Sequence, residues 1–544
     1  MVASLAFLLT LMTIFIMKTK GISMYGDTQF HAGRIYDIRE AFKSHHIPMW
    51  VNFSSFYGMG QAVNGMYPDI TLWPLVLLTN YLNFENQLIA IKVIILILTF
   101  VVTYLSLVKH QIGKENAFYV SILYTFSGYS LYQFLYELQP GAIIIYIFTF
   151  PLIFSIKEVL YEKSLDKRLV LKLSVLFGIV LYSHILTAVV IGIVIIILWI
   201  LRILLEKELN YSTILNLFYA SLLTIIYALP ILYRMLVISD SQIATPSGPS
   251  GKGKVLSVNL IDIFSNPQVS TRWTLSFVAL FLLIISFHYF NKKVSRMLLA
   301  EMVLLILSSN IVPWNILDNL PIINMLQYAP WRFGIYLSAP PMLAFLYTHI
   351  KNKNIILFLL TLVTLMAIPE AERSIIHTSN LNDSRSNFGS ITRDYLPAKT
   401  IGDLIENKVP KSVQEKAEQP VIENSHRSSM VKKDITKYGT ITLNNRKFLE
   451  KGTYTIPVYY YPSLYYRIQI NGRVENQVSQ DKHGYMKLKL SAPLPQNSKI
   501  KVSYSNPIVY DILLIISLTF YLSVFIYLVV KDIQTMKSNA VKIV

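Results

Sequence analysis

The chain has 544 residues, of which 53% are hydrophobic and only 15% are charged. With a mean hydropathy of +0.47, this composition excludes an ordinary soluble protein and predicts a membrane protein. The net charge of +18 would suit a nucleic-acid-binding protein, but in a membrane protein the side on which the basic residues lie matters more than their total. The sequence has no cysteine, which excludes disulfides, thiolate metal sites and a cysteine nucleophile.

Long apolar runs predict about twelve membrane-spanning helices, because one span needs roughly 20 residues. The first run, 2–17, has no Lys or Arg ahead of it and no small-residue cleavage pattern behind it, so we interpret it as a retained span and not a signal peptide. A polar break at His184 predicts a broken or sharply turned hairpin. The predicted spans lie near 2–17, 86–108, 116–135, 140–156, 172–183, 185–205, 212–231, 274–290, 297–311, 333–349, 354–368 and 508–530.

The basic residues predict how the helices are oriented. If the N-terminus is cytoplasmic, the inner loops hold 17 Lys and Arg in 57 positions, whereas the outer loops hold 10 in 135. The positive-inside rule therefore places both termini in the cytoplasm and a long first loop, 18–85, outside a bacterial plasma membrane. Lys18 and Lys20, directly after the first span, oppose this orientation. The inner loops are 109–115, 157–172, 202–211, 291–296, 350–353 and 531–544.

A polar stretch at 369–506 separates the last two predicted spans. Its alternating apolar and polar residues, with Asn471-Gly472 as a two-residue turn signal, predict a small domain that is rich in β-strands from about residue 440. We therefore divide the chain into a transmembrane domain at 1–368, an extracytoplasmic domain at 369–506, and a last helix with a cytoplasmic tail at 507–544. The outer domain has 21 Lys and Arg against 13 Asp and Glu, which favours either solubility or attraction to an anionic polymer or lipid head group.

The first loop holds the densest group of polar residues in the sequence. On a helix that starts near Asp27, the residues Asp27, His31 and Arg34 fall on one face, because their spacing is i, i+4 and i+7. A carboxylate, an imidazole and a guanidinium would then project together at the membrane surface. The alternative is that Asp27 is a plain N-cap and that His31 and Arg34 form a solvated helix face.

The order of the residues that follow resembles a known family. The loop continues with Pro48, the Gly58-Met59-Gly60 turn and Met66-Tyr67-Pro68-Asp69, ahead of an apolar stretch at 70–82. This order is similar to the first outer loop of the bacterial YfhO-like membrane proteins, which belong to the GT-C glycosyltransferases, multi-span enzymes that use polyprenyl-phosphate sugars. Similar features recur at His184 with Thr187, at 327–333, at 394–397 and at 458–462.

The resemblance implies a mainly α, polytopic membrane protein with a GT-C-like bundle of about 12 transmembrane helices and a small extracytoplasmic β-rich domain before the last helix. It also implies an inverting glycosyltransferase that moves a sugar from a polyprenyl-phosphate donor to an extracytoplasmic acceptor. By analogy, the acceptor would be a cell-wall polymer of a Gram-positive bacterium, such as teichoic acid or polysaccharide. A glycosyltransferase that makes the donor would be a partner.

Asp27 matches the catalytic position of that family in the first loop. Because a sugar hydroxyl is a poor nucleophile, it needs a carboxylate to accept its proton, and we expect Asp27 to be this general base. Arg332, beside Trp331, would bind the donor phosphate or, alternatively, be a snorkelling residue of an aromatic belt. The candidate substrate-binding residues are His31, Arg34, Asp69, Glu137, His184 and Arg332.

Three of these candidates have a second interpretation. His184 is a polar group at membrane depth and is either functional or a hydrogen-bonded structural residue. Glu137 is either a second acid in the cavity or an ordinary loop charge, and Asp69 is either a substrate contact or a helix cap. Five of the candidates could also ligate a divalent cation, but their spacing is not diagnostic, so we assign no metal.

Two other functions fit a polar site among many helices. The first is a transporter or flippase of lipid-linked glycans, and the second is a non-catalytic cell-envelope assembly factor that binds polymer through its outer domain. Nucleic acid is not an expected partner, because inner loops and the outer domain account for most of the basic residues.

Overall fold

Helices form along the apolar runs, and strands form where the sequence alternates. The computed structural model describes residues 27–135, 137–207, 210–241, 243, 277–317, 320, 323, 326, 329–378, 395–401, 418–424 and 428–541. The predicted first span, 2–17, lies outside these residues. The helices are α1 Thr28–Lys43, α2 Val63–Met66, α3 Trp73–Thr79, α4 Phe84–Lys109, α5 Lys114–Thr125, α6 Gly128–Leu135, α7 Pro140–Ile147, α8 Thr149–Tyr161, α9 Lys167–Ser183, α10 Ile185–Glu206, α11 Tyr211–Ser239, α12 Phe277–His288, α13 Lys292–Ser308, α14 Trp314–Leu317, α15 Ala329–Gly334, α16 Ala339–Leu346, α17 Lys353–Thr378, α18 Ala398–Ile401 and α19 Ile508–Val541, with 3-10 turns at Phe56–Gly58 and Ile70–Leu72.

The predicted number of spans, about twelve, is wrong for the part of the chain that the structure describes. Four helices there are long and apolar enough to cross a membrane, namely α4, α10, α11 and α19, and the pair α7–α8, bent by 60°, makes a fifth if it is one broken span. The predicted span at 116–135 is instead divided into α5 and α6. Hydropathy does not separate a spanning helix from a helix buried inside protein, because both are apolar.

The helices pack against one another around a continuous apolar core. α9 packs on α11 and α19, α4 packs on α5 and on both halves of the bent pair, and α13 packs on α15 and α16. The core includes Ile91 of α4, Phe150 of α8 and Leu343 of α16, all fully buried. The long, apolar α4, α10, α11 and α19 make the chain a membrane protein.

Among the residues that the structure describes after 420, nine strands form one antiparallel sheet. Its strand order is β6-β5-β9-β3-β2-β1-β4-β8-β7, and two strands begin before the predicted start near residue 440. The hairpin predicted at Asn471-Gly472 is confirmed: these residues have φ of 46° and 87°, and Ile470 pairs with Arg473. The strands are β1 Val421–Glu423, β2 Ser428–Lys437, β3 Thr440–Asn445, β4 Gly452–Tyr459, β5 Tyr466–Ile470, β6 Arg473–Glu475, β7 Val478–Gln480, β8 Tyr485–Leu490 and β9 Lys499–Tyr504.

The first loop lies between the helix bundle and the sheet and contacts both. The Tyr459 amide donates to the Met59 carbonyl at 2.8 Å, and the Ala62 amide donates to the Tyr461 hydroxyl at 3.0 Å. Phe53 is buried in a core that also contains residues of α11 and of the sheet. On its other side, α1 buries Ile35 in the core of the helix bundle. The first loop is therefore held in place by two cores.

Candidate active site

Asp27 lies at the N-terminal end of α1, and its side chain is exposed. Its Oδ2 accepts a hydrogen bond from Gln139 Nε2 at 2.9 Å, while its backbone amide donates to Glu137 Oε1 at 2.9 Å. Asp27 occupies the N-cap position, but its side chain makes no capping hydrogen bond to the helix. The carboxylate is therefore directed away from α1 and held by the segment between α6 and α7.

Glu137 is buried beside Asp27 and is not an ordinary loop charge. Its Oε2 accepts a hydrogen bond from the Tyr132 hydroxyl at 3.0 Å, and its Oε1 accepts the amide of Asp27. The same segment is fixed a second time, because the Leu138 amide donates to Thr28 Oγ1 at 2.9 Å. Glu137 thus positions the start of α1 and, with it, the Asp27 carboxylate.

His31 and Arg34 are buried behind Asp27, so the alternative interpretation of a solvated helix face is wrong for these two side chains. Arg34 Nη1 lies 3.0 Å from His31 Nδ1, and Arg34 Nη2 donates to the Pro68 carbonyl at 2.7 Å. Burial, helped by the positive charge of Arg34, holds the pKa of His31 well below its usual value. Because a guanidinium only donates, His31 Nδ1 must accept, and the imidazole is neutral.

Tyr67 connects these residues to the rest of the site. The Arg34 guanidinium carbon lies 4.1 Å from the centre of the Tyr67 ring, which is a cation–π contact. The same ring lies 5.5 Å from the ring of His31, 5.7 Å from that of His184 and 6.4 Å from that of Tyr395. Tyr67 therefore brings together residues from α1, from the break before α10 and from the segment that leads into the sheet domain.

His184 forms the predicted break between two helices. It has an extended backbone between α9 and α10, and its Nδ1 lies 2.9 Å from Thr187 Oγ1 and accepts the Thr187 amide at 3.3 Å, as an N-cap does. Gly141 lets α7 approach this break, because a Cβ there would lie only 2.6 Å from the Ser183 carbonyl oxygen. His184 thus has a structural partner on one nitrogen while its ring faces Tyr67.

Arg332 is buried in α15 and interacts electrostatically with Asp27, Tyr67 and Tyr395. Its Nε donates to the Leu326 carbonyl. A snorkelling side chain would extend towards water, whereas Arg332 is only 8% exposed. The structure therefore brings a buried cation into range of an exposed carboxylate.

Asp69 is buried, and although it occupies the N-cap position of the 3-10 turn Ile70–Leu72, its side chain makes no capping hydrogen bond and has structural partners instead. Arg234 Nη1 of α11 donates to Asp69 Oδ1 at 2.9 Å, and Trp73 Nε1 donates to Asp69 Oδ2 at 2.8 Å. Both charged side chains are almost fully buried. Sequence reasoning missed Arg234 and Gln139, because each comes from a segment more than 100 positions away from its partner and no local pattern marks the pairing.

Within the described part of the chain, no three His, Asp or Glu residues are grouped in a way that could hold a metal ion. The side chains of Asp69 and His31 are occupied by arginines, and His184 by Thr187. The site instead combines one exposed carboxylate with the buried guanidiniums of Arg34 and Arg332 and a group of aromatic rings. Such an arrangement can accept a proton and stabilise a nearby phosphate.

No protein-family model matches the sequence, and no curated protein matches it. Among solved structures, the chain is similar to the arabinofuranosyltransferase AftD from Mycobacteria, with 13% sequence identity and a TM-score of 0.41. The similarity covers 72% of this chain and 28% of the AftD chain, so the chain corresponds to less than a third of that protein. A similarity of this size does not support a functional assignment. Any assignment depends on the residues of the site.

Proposed function

We propose that the chain is a membrane glycosyltransferase of the GT-C type, which transfers a sugar from a polyprenyl-phosphate donor to an extracytoplasmic acceptor such as a cell-wall polymer. The observation that carries this proposal is the exposed Asp27 carboxylate, which a 2.9 Å hydrogen bond from Gln139 holds in a site that also contains the buried guanidiniums of Arg34 and Arg332. The family resemblance of the first loop supports the same function.

Asp27 is the general base in this proposal. The acceptor hydroxyl gives its proton to the Asp27 carboxylate while its oxygen forms a bond to the anomeric carbon of the donor sugar. The bond between that carbon and the donor phosphate breaks on the opposite face, which inverts the anomeric configuration. The hydrogen bond from Gln139 fixes one carboxylate oxygen, which keeps the base oriented before the acceptor arrives.

Arg332 and Arg34 supply the positive charge that the departing phosphate needs. A guanidinium is always charged and can bind phosphate through two parallel hydrogen bonds, and its burial strengthens that interaction. His31, His184 and Glu137 position these groups, and Asp69 keeps Arg234 and the Tyr67 segment in place.

In this proposal the site faces the outside of a bacterial plasma membrane, both termini are cytoplasmic, and 369–506 is extracytoplasmic. The donor reaches the site from the bilayer, and a separate glycosyltransferase makes it on the cytoplasmic side. The basic residues of the outer domain would attract an anionic acceptor, such as teichoic acid.

The test measures sugar transfer in membranes that contain Asp27→Asn or the control Glu40→Gln. Glu40 is another carboxylate on α1, and it forms ion pairs with Arg39 and Lys43. With a panel of labelled polyprenyl-phosphate sugars, we expect Asp27→Asn to lower transfer roughly 10²- to 10⁴-fold and Glu40→Gln to leave it unchanged.

Other results would assign another function. Undiminished transfer by Asp27→Asn would remove Asp27 as the base. Movement of donor across vesicles without a glycosylated product would favour a transporter or flippase. Retention of wall polymer by the wild type with no transfer from any donor would favour an assembly factor.

A further inference from the structure

A cavity of about 320 Å³ lies between α8, α10 and α13. Most of its wall is apolar, with Leu152 and Ile156 of α8, Val194 and Leu198 of α10 and Leu304 of α13. α10 begins next to His184, in the candidate active site, and ends at Glu206, which lines this cavity. Its 22 residues span about 33 Å, so the end of the cavity at Glu206 lies far from His184.

Charged side chains surround that end of the cavity. Four basic residues and one carboxylate line it, namely Lys157, Arg202, Lys292, Arg296 and Glu206. They come from three segments that the sequence predicts on the cytoplasmic side, 157–172, 202–211 and 291–296. We call these five residues the basic mouth. It lies at the end of a groove whose remaining wall is mostly apolar.

The basic mouth is rigid at its centre. Glu206 accepts from Arg296 Nη2 at 3.0 Å and from Arg202 Nε at 3.1 Å. Both guanidiniums stack on the ring of Tyr161, with the carbon of Arg296 at 3.5 Å and that of Arg202 at 4.6 Å from the ring centre. One carboxylate thus holds two arginines in fixed positions, which is the preorganisation that binding of an anion needs.

The positive charge of the basic mouth exceeds what its carboxylate can neutralise. The acid next to Lys157 in sequence is Glu158, and its two oxygens already interact with Lys172 at 2.8 Å and with His110 at 3.1 Å. Lys157 instead lies over the ring of Tyr347, with its Nζ at 5.0 Å from the ring centre, and Lys292 is exposed. The mouth therefore attracts a negative charge from outside the protein.

We propose that this groove binds an anionic membrane phospholipid, with its phosphate at the basic mouth and one acyl chain along the apolar wall. The volume suits one hydrocarbon chain. Leu204 and Leu205, next to the mouth on α10, are exposed, so the groove is continuous with an apolar outer surface that faces lipid. The cytoplasmic leaflet carries anionic lipids, and basic side chains near its surface attract them. This proposal does not depend on the glycosyltransferase assignment.

Lipid retention by the purified full-length chain tests the proposal. The protein is mixed in detergent with phosphatidylglycerol or with phosphatidylcholine of the same acyl chains, and bound lipid is counted by native mass spectrometry. We expect one phosphatidylglycerol to bind at least about 10-fold more tightly than phosphatidylcholine. The double variant Lys157→Gln/Lys292→Gln should lose that preference. The control Lys163→Gln/Lys167→Gln, on the same predicted loop as Lys157 but outside the groove, should keep it.

A second variant tests the apolar part of the groove. Ala300 of α13 lines the cavity, and Ala300→Phe would fill space next to it. This variant should lower binding of phosphatidylglycerol and of phosphatidylcholine alike, provided that its size-exclusion profile matches that of the wild type. If it does not fold, the lysine variants still decide the outcome.

Three results would overturn the proposal. Equal binding of the two lipids would remove the role of the basic mouth. Unchanged preference in the Lys157→Gln/Lys292→Gln variant would place the bound lipid elsewhere. Displacement of phosphatidylglycerol by an equal amount of polyprenyl phosphate would identify the groove as a site for the donor instead.

Discussion

The carboxylates of the first loop divide into two regions with different surroundings. At the open end of α1, Asp27 is exposed and accepts from Gln139, an uncharged side chain. On the packed side of the same loop, Asp37 and Asp69 are almost fully buried and accept hydrogen bonds from Tyr438 and Arg234. The three residues belong to one loop and one chemical type, and only their environment differs.

The difference separates an exposed carboxylate, which a substrate can reach, from buried carboxylates that hold the fold. A carboxylate that accepts a proton from a substrate must be reached by that substrate. A buried carboxylate is tolerated only when charged or hydrogen-bonding partners compensate for its lost hydration. We therefore expect substitutions at the open end to change activity and substitutions on the packed side to change stability.

The largest effect on stability should come from breaking the Asp69–Arg234 ion pair. Asp69→Asn leaves the Arg234 guanidinium buried without its carboxylate and should lower the free energy of unfolding by about 3–5 kcal/mol. Thermal and denaturant unfolding in detergent micelles would measure this change. Asp27→Asn is the matched control, and it should stay within about 0.5 kcal/mol of the wild type because its side chain is exposed.

The double variant Asp69→Leu/Arg234→Met sharpens the same prediction. Because both charges are removed together, most of the lost stability should return. If the double variant is as unstable as Asp69→Asn, then packing or the hydrogen bond from Trp73, and not the unpaired charge, accounts for the loss.

Features that have a local signal could be predicted from the sequence, whereas features that depend on contacts between distant residues could not. The Asn471-Gly472 hairpin and the break at His184 were predictable because their signals are local: two residues that tolerate positive φ, and one polar residue between apolar runs. The helix spacing placed His31 and Arg34 on one face but could not show that the face is buried, because Tyr67 and Pro68, which contact it, lie more than 30 positions further along the chain. The number of spans was too high because buried helices are as apolar as spanning ones.

Asp37 should make the contact between the first loop and the sheet sensitive to pH. Burial raises the pKa of Asp37 to about 7, with smaller contributions from the charges of Glu40 and Asp69, although the hydrogen bonds from the Ser54 amide and the Tyr438 hydroxyl act in the opposite direction. The folded protein therefore binds a proton at Asp37 more tightly than the unfolded chain does.

The sign of this pH dependence follows from linkage. The contribution of Asp37 to stability is fully present below its ordinary pKa of 3.8 and is lost as the pH rises to about 7, at roughly 1.4 kcal/mol per pH unit at most. In the wild type, the midpoint of unfolding should fall as the pH is raised from 4 to 7 and stay level from pH 7 to pH 8. In Asp37→Asn this fall should be absent. An unchanged profile in Asp37→Asn would assign the pH dependence to another group.

The smallest effect should come from the hydroxyl of Tyr438, which joins β2 and β3 to the first loop. This hydroxyl accepts the Met49 amide at 2.8 Å and donates to Asp37 Oδ2 at 3.1 Å. Tyr438→Phe keeps the ring but removes both hydrogen bonds, and it should cost about 1–3 kcal/mol because the buried Met49 amide and the Oδ2 atom of Asp37 each lose this partner. Transfer by the remaining folded protein should stay at the wild-type rate, since Asp27 and Arg332 are untouched. A loss of transfer without a loss of stability would show that the packed side also takes part in the chemistry, and the division between the two regions would not hold.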